Sequence, residues 1–240
     1  MGLSSNTLFQ FTAKRETLEA ILTSKYLWPR YCTEYYWDGF RFALPMTCLC
    51  DIPLSSIGEH TDKYGHFGIG LSKKWAEGIK ELSSVIYTRV GSALYKEVLS
   101  ILKKKIRGEA LTQSDIFLLS KTKKYSGNTF CGGGNEHRLV RHVRFYDERE
   151  WRYVPASLKE DEIFIERSSD RVPITGDNEH TKGMPAFQYS DIRYLFVKDE
   201  SERRVLLSFI KNQLKHNIAQ EDMMILMSKV LTIKQIKEDF

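Results

Sequence analysis

Five consecutive residues, Glu148-Arg149-Glu150-Trp151-Arg152, bring together two carboxylates, two guanidinium groups and an indole. On an extended strand side chains alternate between faces, so Glu148, Glu150 and Arg152 would share one side. A carboxylate held by an Arg at the floor of a cleft can be tuned by its environment for catalytic work. The same pattern also fits a solvated strand face laced by weak ion pairs. A second constellation is YGHFGIGLSKKW, residues 64–75. Its Gly65, Gly68 and Gly70 would let a ligand approach the backbone closely, and Tyr64, Phe67 and Trp75 offer flat stacking surfaces. Glycines in a strand equally mark bulges. Neither a GxGxxG cradle nor a Walker sequence occurs, so a phosphate-cradling loop of those kinds is not indicated. A third segment, LFQFT at residues 8–12, reads by itself as strand and nothing more.

Metal and thiol chemistry find less support. Cys32, Cys48, Cys50 and Cys131 include no CxxC pair, and the six histidines are scattered, so no zinc site can be assembled from the sequence. Cys48 and Cys50, two apart in an apolar run, would face the same side of a strand and read as buried reduced thiols. That reading, and a start (MGLSSNTLFQ) without a charged or apolar leader pattern, predict a reducing cytoplasm.

Charge and composition narrow the class. In 240 residues, 36 Lys+Arg face 31 Asp+Glu, and 42% of residues are hydrophobic with 12% aromatic. That is enough apolar material to fold, which excludes a disordered chain. No run of about 18 apolar residues is present, which excludes a helical membrane span. The basic residues cluster in three runs: Lys103, Lys104, Lys105 and Arg107; Lys121, Lys123 and Lys124; and Arg138, Arg141 and Arg144. Each run fits a solvated face or an electrostatic footprint for nucleic acid. Acidic residues elsewhere offset them, so a dedicated DNA-binding protein is not indicated.

The elements that must position these groups can be read coarsely. Strands are predicted over 7–12, 42–50, 64–71, 85–90, 144–155, 192–197 and 223–227. Leu18, Ile21 and Leu22 recur at helical spacing over 17–24, a short helical turn is expected at 55–60, and Ser72 reads as the N-cap of a helix through Trp75 and Ile79. Residues 91–122 change character, with Leu94, Val98, Ile101 and Leu102 on one helical face. A glycine-rich loop follows, then a loop over 168–183, a helix over 202–213 and a short terminal helix or extension over 233–240. Strands interrupted by helices without a βαβ period give an α+β fold in a single domain over 1–240, with a helical insertion near 91–122.

Taken together, LFQFT, PMTCLCDIPLS (45–55), YGHFGIGLSKKW and FYDEREWRYVP (145–155) resemble, in order and spacing, the AbiGi family of abortive phage-resistance proteins. The resemblance covers most of the first 155 residues. It implies a prokaryotic phage-defence protein, of a family often described as the antitoxin of a toxin–antitoxin pair. The same landmarks are more distantly similar to those of ADP-ribosyltransferases, which implies a split β-sheet sandwich binding NAD as substrate. On that likeness Gln10, Thr12, Tyr64, Phe67, Gly68 and Ser72 would hold NAD. Glu150 would act as the catalytic glutamate, with Glu148 positioning the acceptor and Arg152, Arg144 and Arg141 binding it. The pattern leads one to expect a histidine where the chain has Gln10. Such chemistry passes through an oxocarbenium-like state that a nearby carboxylate stabilises.

Two functions follow as expectations. The first is a NAD-dependent ADP-ribosyltransferase serving as the toxic component of an anti-phage system, with RNA as a candidate acceptor and a neutralising antitoxin or chaperone as partner. Segments 168–183 and 223–240 are the expected partner handles. The alternative is a non-enzymatic antitoxin that neutralises a partner through an exposed apolar surface.

Overall fold

The computed structural model describes residues 4–36, 39–131, 138–167 and 185–239. In chain order the elements are β1 (Thr7–Thr12), α1 (Arg15–Ser24), β2 (Arg30–Tyr35), β3 (Phe40–Cys50), α2 (Ile57–Tyr64), β4 (Phe67–Ser72) and α3 (Lys73–Glu77). There follow β5 (Leu82–Ser84), β6 (Ile86–Thr88), α4 (Ala93–Ile106), α5 (Gln113–Lys121), β7 (Thr122–Lys124), β8 (Gly127–Cys131) and β9 (Arg138–Val143). The last are β10 (Glu150–Tyr153), β11 (Phe164–Arg167), β12 (Ile192–Val197), α6 (Glu200–Gln213), α7 (Gln220–Ser228), β13 (Val230–Thr232) and α8 (Ile233–Asp239). The class is α+β, as the sequence predicts. The chain divides into two compact units. One comprises Met1–Leu27, Leu49–Ile79 and Pro185–Phe240; the other comprises Trp28–Cys48 and Lys80–Met184.

The first unit is built on strands in the order β13-β12-β4-β1, with Cys50 at the end of β3 paired to Phe9 of β1. Pairs are antiparallel except β12 with β13. Alternation along β1 sends Leu8 and Gln10 to one face and Phe9 and Phe11 to the other. The aromatic face joins Phe9 and Phe196 to Cys50, Ile52, Ile57, Ile233 and Ile236 in one buried cluster. Helix α1 packs on β1 and β4 and buries Leu18, Ile21 and Leu22, the three residues whose spacing marks it. It stops at Lys25, which adopts a left-handed conformation (φ 59°) and returns its N–H to the carbonyl of Ile21.

In the second unit β3 lies between β2 and β11, both antiparallel to it. β10 pairs β5, β6 pairs β7 in parallel, and β8 pairs β9. The helices expected over 91–122 are α4 and α5. Ser92 caps α4, and a reciprocal Thr112–Asp115 capping box opens α5. Tyr95, Val98, Ile101 and Leu102 of α4 and Ile116 and Leu119 of α5 bury against Phe42, Leu44 and Met46 of β3.

Two predicted strands differ. Residues 223–227 lie within helix α7. A short apolar run carries no decisive period, and Met and Leu are good helix formers. Only the end of the predicted strand over 144–155 is strand. Phe145–Glu148 form a 3-10 turn, closed by Arg149 in the left-handed region (φ 44°). The glycine-rich segment 132–137 and the loop 168–183 fall outside the described residues.

Candidate functional site

Glu150 and Arg152 sit on β10, Glu148 ends the 3-10 turn before it, Lys123 lies on β7 and Glu34 on β2. All belong to the second unit, and their charges meet in its interior. Lys123 Nζ donates to Glu148 Oε2 at 3.0 Å and also to Glu150 Oε2. Arg152 donates through Nε to Glu150 Oε1 and through Nη2 to Glu34. Its Nη1 reaches the carbonyls of Ser120 and Thr122 at 3.3 and 3.2 Å. The Glu150 N–H donates to the Tyr87 hydroxyl at 2.8 Å. Arg152 is 0% exposed and Glu150 5%.

Burial works against the charge on Glu150, but Arg152 and Lys123 outweigh it and hold its carboxyl well below the usual carboxylate range. The result is an ionised carboxylate with both oxygens engaged. Lys121 is the opposite case. Its ammonium is buried and donates to the carbonyls of Glu81 and Arg152 at 2.8 and 2.7 Å. Burial, helped by the charge of Arg152, lowers its pKa to about 8.

The structure therefore brings Glu148, Glu150 and Arg152 together, but not by strand alternation. A turn and one strand place the two glutamates on the same Lys123. Their partners bury them, so the expected row of charges on an open strand face is corrected to an interior network. Lys123 and Glu34 are members that sequence reasoning missed. The run Lys121-Thr122-Lys123-Lys124 fits a solvated face or a nucleic-acid footprint by sequence, yet Lys121 and Lys123 are buried, which corrects both for these two residues. Arg141 and Arg144 are exposed, and Arg144 pairs with Asp147 at 2.6 Å. The side chain of Arg138 lies outside the described residues. The run at 103–107 is a solvated helix end, with Lys104 on Asp115, Lys105 on Glu160 and Arg107 on Glu109.

Gln10, Thr12, Tyr64, Phe67, Gly68 and Ser72 belong to the first unit. Gln10 is half-buried on β1, and its Oε1 is buried without a hydrogen-bond partner. Thr12 Oγ1 accepts from the Lys14 N–H at 3.5 Å. Tyr64 ends α2 rather than opening a strand, with its ring 4.5 Å from that of His60. Phe67 is buried in β4. Ser72 accepts from the Trp75 N–H at 3.3 Å, the predicted cap, although α3 ends at Glu77.

The glycines of β4 serve packing. Register places Phe11 opposite Gly68 and Phe9 opposite Gly70. A Cβ on Gly68 would lie 2.6 Å from the Phe11 ring, and one on Gly70 would lie 2.9 Å from the Phe9 ring. Their missing side chains admit phenyl rings, which accounts for the spacing without a ligand.

Cys32 and Cys48 are half-buried in the second unit with their sulfurs 3.9 Å apart, whereas Cys50 is buried in the first unit's aromatic cluster. Among the described residues no group of His, Cys, Asp and Glu is arranged to hold a metal ion, and no helix is long and apolar enough to cross a membrane.

A family model described as "Putative abortive phage resistance protein AbiGi, antitoxin" matches residues 26–198. The curated "Abortive phage resistance protein AbiGi" of Lactococcus lactis subsp. cremoris is 30% identical over 223 residues, covering 82% of this chain and 89% of that protein. No solved structure matches, and the likeness to ADP-ribosyltransferases gains no support. The description of the family as an antitoxin overturns the expectation of an ADP-ribosyltransferase toxin and favours the alternative, a neutralising partner protein.

Proposed function

Because the chain belongs to the AbiGi family of abortive phage resistance proteins, we propose that it is an antitoxin that acts by binding and neutralising a partner toxin. The observation that carries this reading is the exposure of large apolar side chains on two packed helices of the first unit. On α7, Met224 is 63% and Ile225 53% exposed. Helix α6, which packs against α7, leaves Val205 42% exposed. Flexible, polarisable Met beside branched aliphatics suits an adaptable protein–protein contact. In this reading the Glu34–Arg152–Glu150–Lys123–Glu148 network stabilises the second unit.

The test is growth rescue. Neighbouring gene products are expressed singly until one arrests growth, and this chain is then supplied in trans. Rescue that is lost in a folded Met224→Glu/Ile225→Glu double variant, with loss of co-purification, is the expected result. Full rescue by that variant would remove the proposed surface, and failure of the unaltered chain to rescue would remove the antitoxin reading.

A further inference from the structure

The second unit carries an aromatic and cationic surface that the antitoxin reading does not use. Tyr125 and Tyr146 stack with ring centroids 5.3 Å apart and an interplanar angle of 21°. Tyr87 meets Tyr146 edge-on at 5.4 Å, and the Arg149 guanidinium lies 5.6 Å from the Tyr146 centroid. A stacked tyrosine pair would ordinarily be core. Here Tyr125 is 39% and Tyr146 41% exposed.

The rings are held by main chain rather than resting loosely on the surface. The Tyr146 N–H donates to the Tyr125 carbonyl at 3.2 Å, and the Tyr125 N–H to the Thr88 carbonyl at 2.8 Å. Tyr87 is anchored beneath through its hydroxyl on the Glu150 N–H. Arg149 lies over Tyr146 from the left-handed position (φ 44°) that closes the 3-10 turn, its N–H returned to the Tyr146 carbonyl.

The residues that flank the rings along β9 and the turn after it are predominantly basic. β8 and β9 pair Gly127 with Val143, which sets Arg144 near the turn that follows Tyr125. Arg141 and Arg144 are exposed. Of the two acidic residues between 141 and 149, Glu148 is buried on Lys123, and the exposed Asp147 pairs with Arg144 at 2.6 Å, so that a phosphate would compete with Asp147 for that guanidinium.

We propose that Tyr125, Tyr146 and Arg149, with Arg141 and Arg144, form a binding surface for single-stranded nucleic acid. Pre-positioned aromatic rings accept bases of any identity by stacking, and flanking guanidinium groups take the phosphates. A partner recognised by charge alone would not need ordered rings at the surface, and one recognised by apolar contact would not need the arginines. Binding of this kind is weakly sequence-dependent and strongly salt-dependent.

The experiment is fluorescence anisotropy of the full chain with labelled oligo-U and oligo-dT of equal length across a salt series. Two uracil- and thymine-based probes separate an RNA from a DNA preference. Saturable binding that weakens with salt is expected. Tyr146→Leu should weaken it about ten-fold, in line with the loss of one base stack, while Tyr146→Phe retains it. Arg141→Ala/Arg144→Ala should lower the salt slope by about 1.4, the value for two contacts to a single strand. These two side chains are exposed, so this variant decides the matter if Tyr146→Leu does not fold. Absence of binding, or equal affinity and slope in folded variants, overturns the proposal. So does loss of toxin capture by the same variants with oligonucleotide binding unchanged, which would make the surface a protein interface.

Discussion

As candidates for chemistry, the glycine-bearing strand β4 of the first unit and the charged strand β10 of the second unit have equal appeal, yet the fold uses them differently. In β4 the empty positions at Gly68 and Gly70 are filled by Phe11 and Phe9 from the paired strand. Dispersion and the burial of apolar surface supply the stability there. In β10 the charges of Glu150 and Arg152 are buried and answered by Lys123 and Glu34. There each ion has been taken out of water, and stability depends on every partner being present. An apolar solution tolerates small errors of fit, whereas an ionic one fails when one member is removed.

The sharpest test of that contrast is Arg152→Met. It leaves Glu34 and Glu150 facing each other's field in the interior, and should cost about 3–5 kcal/mol of unfolding free energy, measured by denaturant titration. Adding Glu34→Gln should recover part of that loss, since it removes a buried charge left unanswered. A loss below about 1 kcal/mol would show the network to be solvated. In the first unit Gly68→Ala should cost about 1–3 kcal/mol by overpacking. Phe11→Leu should cost less in the Gly68→Ala background than alone, and additive effects in that double-mutant cycle would mean that the ring does not occupy the glycine's place.

A third test uses pH. The folded pKa of Lys121, about 8, lies below its ordinary value of 10.5. Between those values the unfolded chain holds the extra proton, so stability rises with pH, by at most about 1.4 kcal/mol per unit. From about pH 8 to about pH 9.5 a gain of about 1–2 kcal/mol is expected, absent in Lys121→Met. Above about pH 10 the sign reverses, because burial raises the pKa of Tyr36 to about 12 and that of Tyr87 further, so the unfolded chain loses their protons first. The smallest effect is that of Ser72→Ala, about 1 kcal/mol for one lost cap. Full stability with loss of partner or ligand binding would instead return Ser72 to a functional role.

The residues most legible as a site in the sequence were the ones packing claimed. Local rules identified β1, β12, α1, α4, α5 and the Ser72 cap, because apolar spacing and capping chemistry act over a few residues. They failed at 223–227, where a five-residue apolar run fits strand or helix, and at Phe145–Glu148, where Arg149 takes a left-handed conformation that its type does not announce. The order and spacing of the motifs pointed to the family that the match over residues 26–198 shows, since they survive where individual contacts cannot be seen. Only the tertiary structure decided that Glu150 is a paired interior ion, that Gly68 makes room for Phe11, and that Tyr125 stacks on Tyr146. Each of those outcomes depends on a partner distant in sequence, and the energy of a charge, a gap or a ring is set by what lies against it.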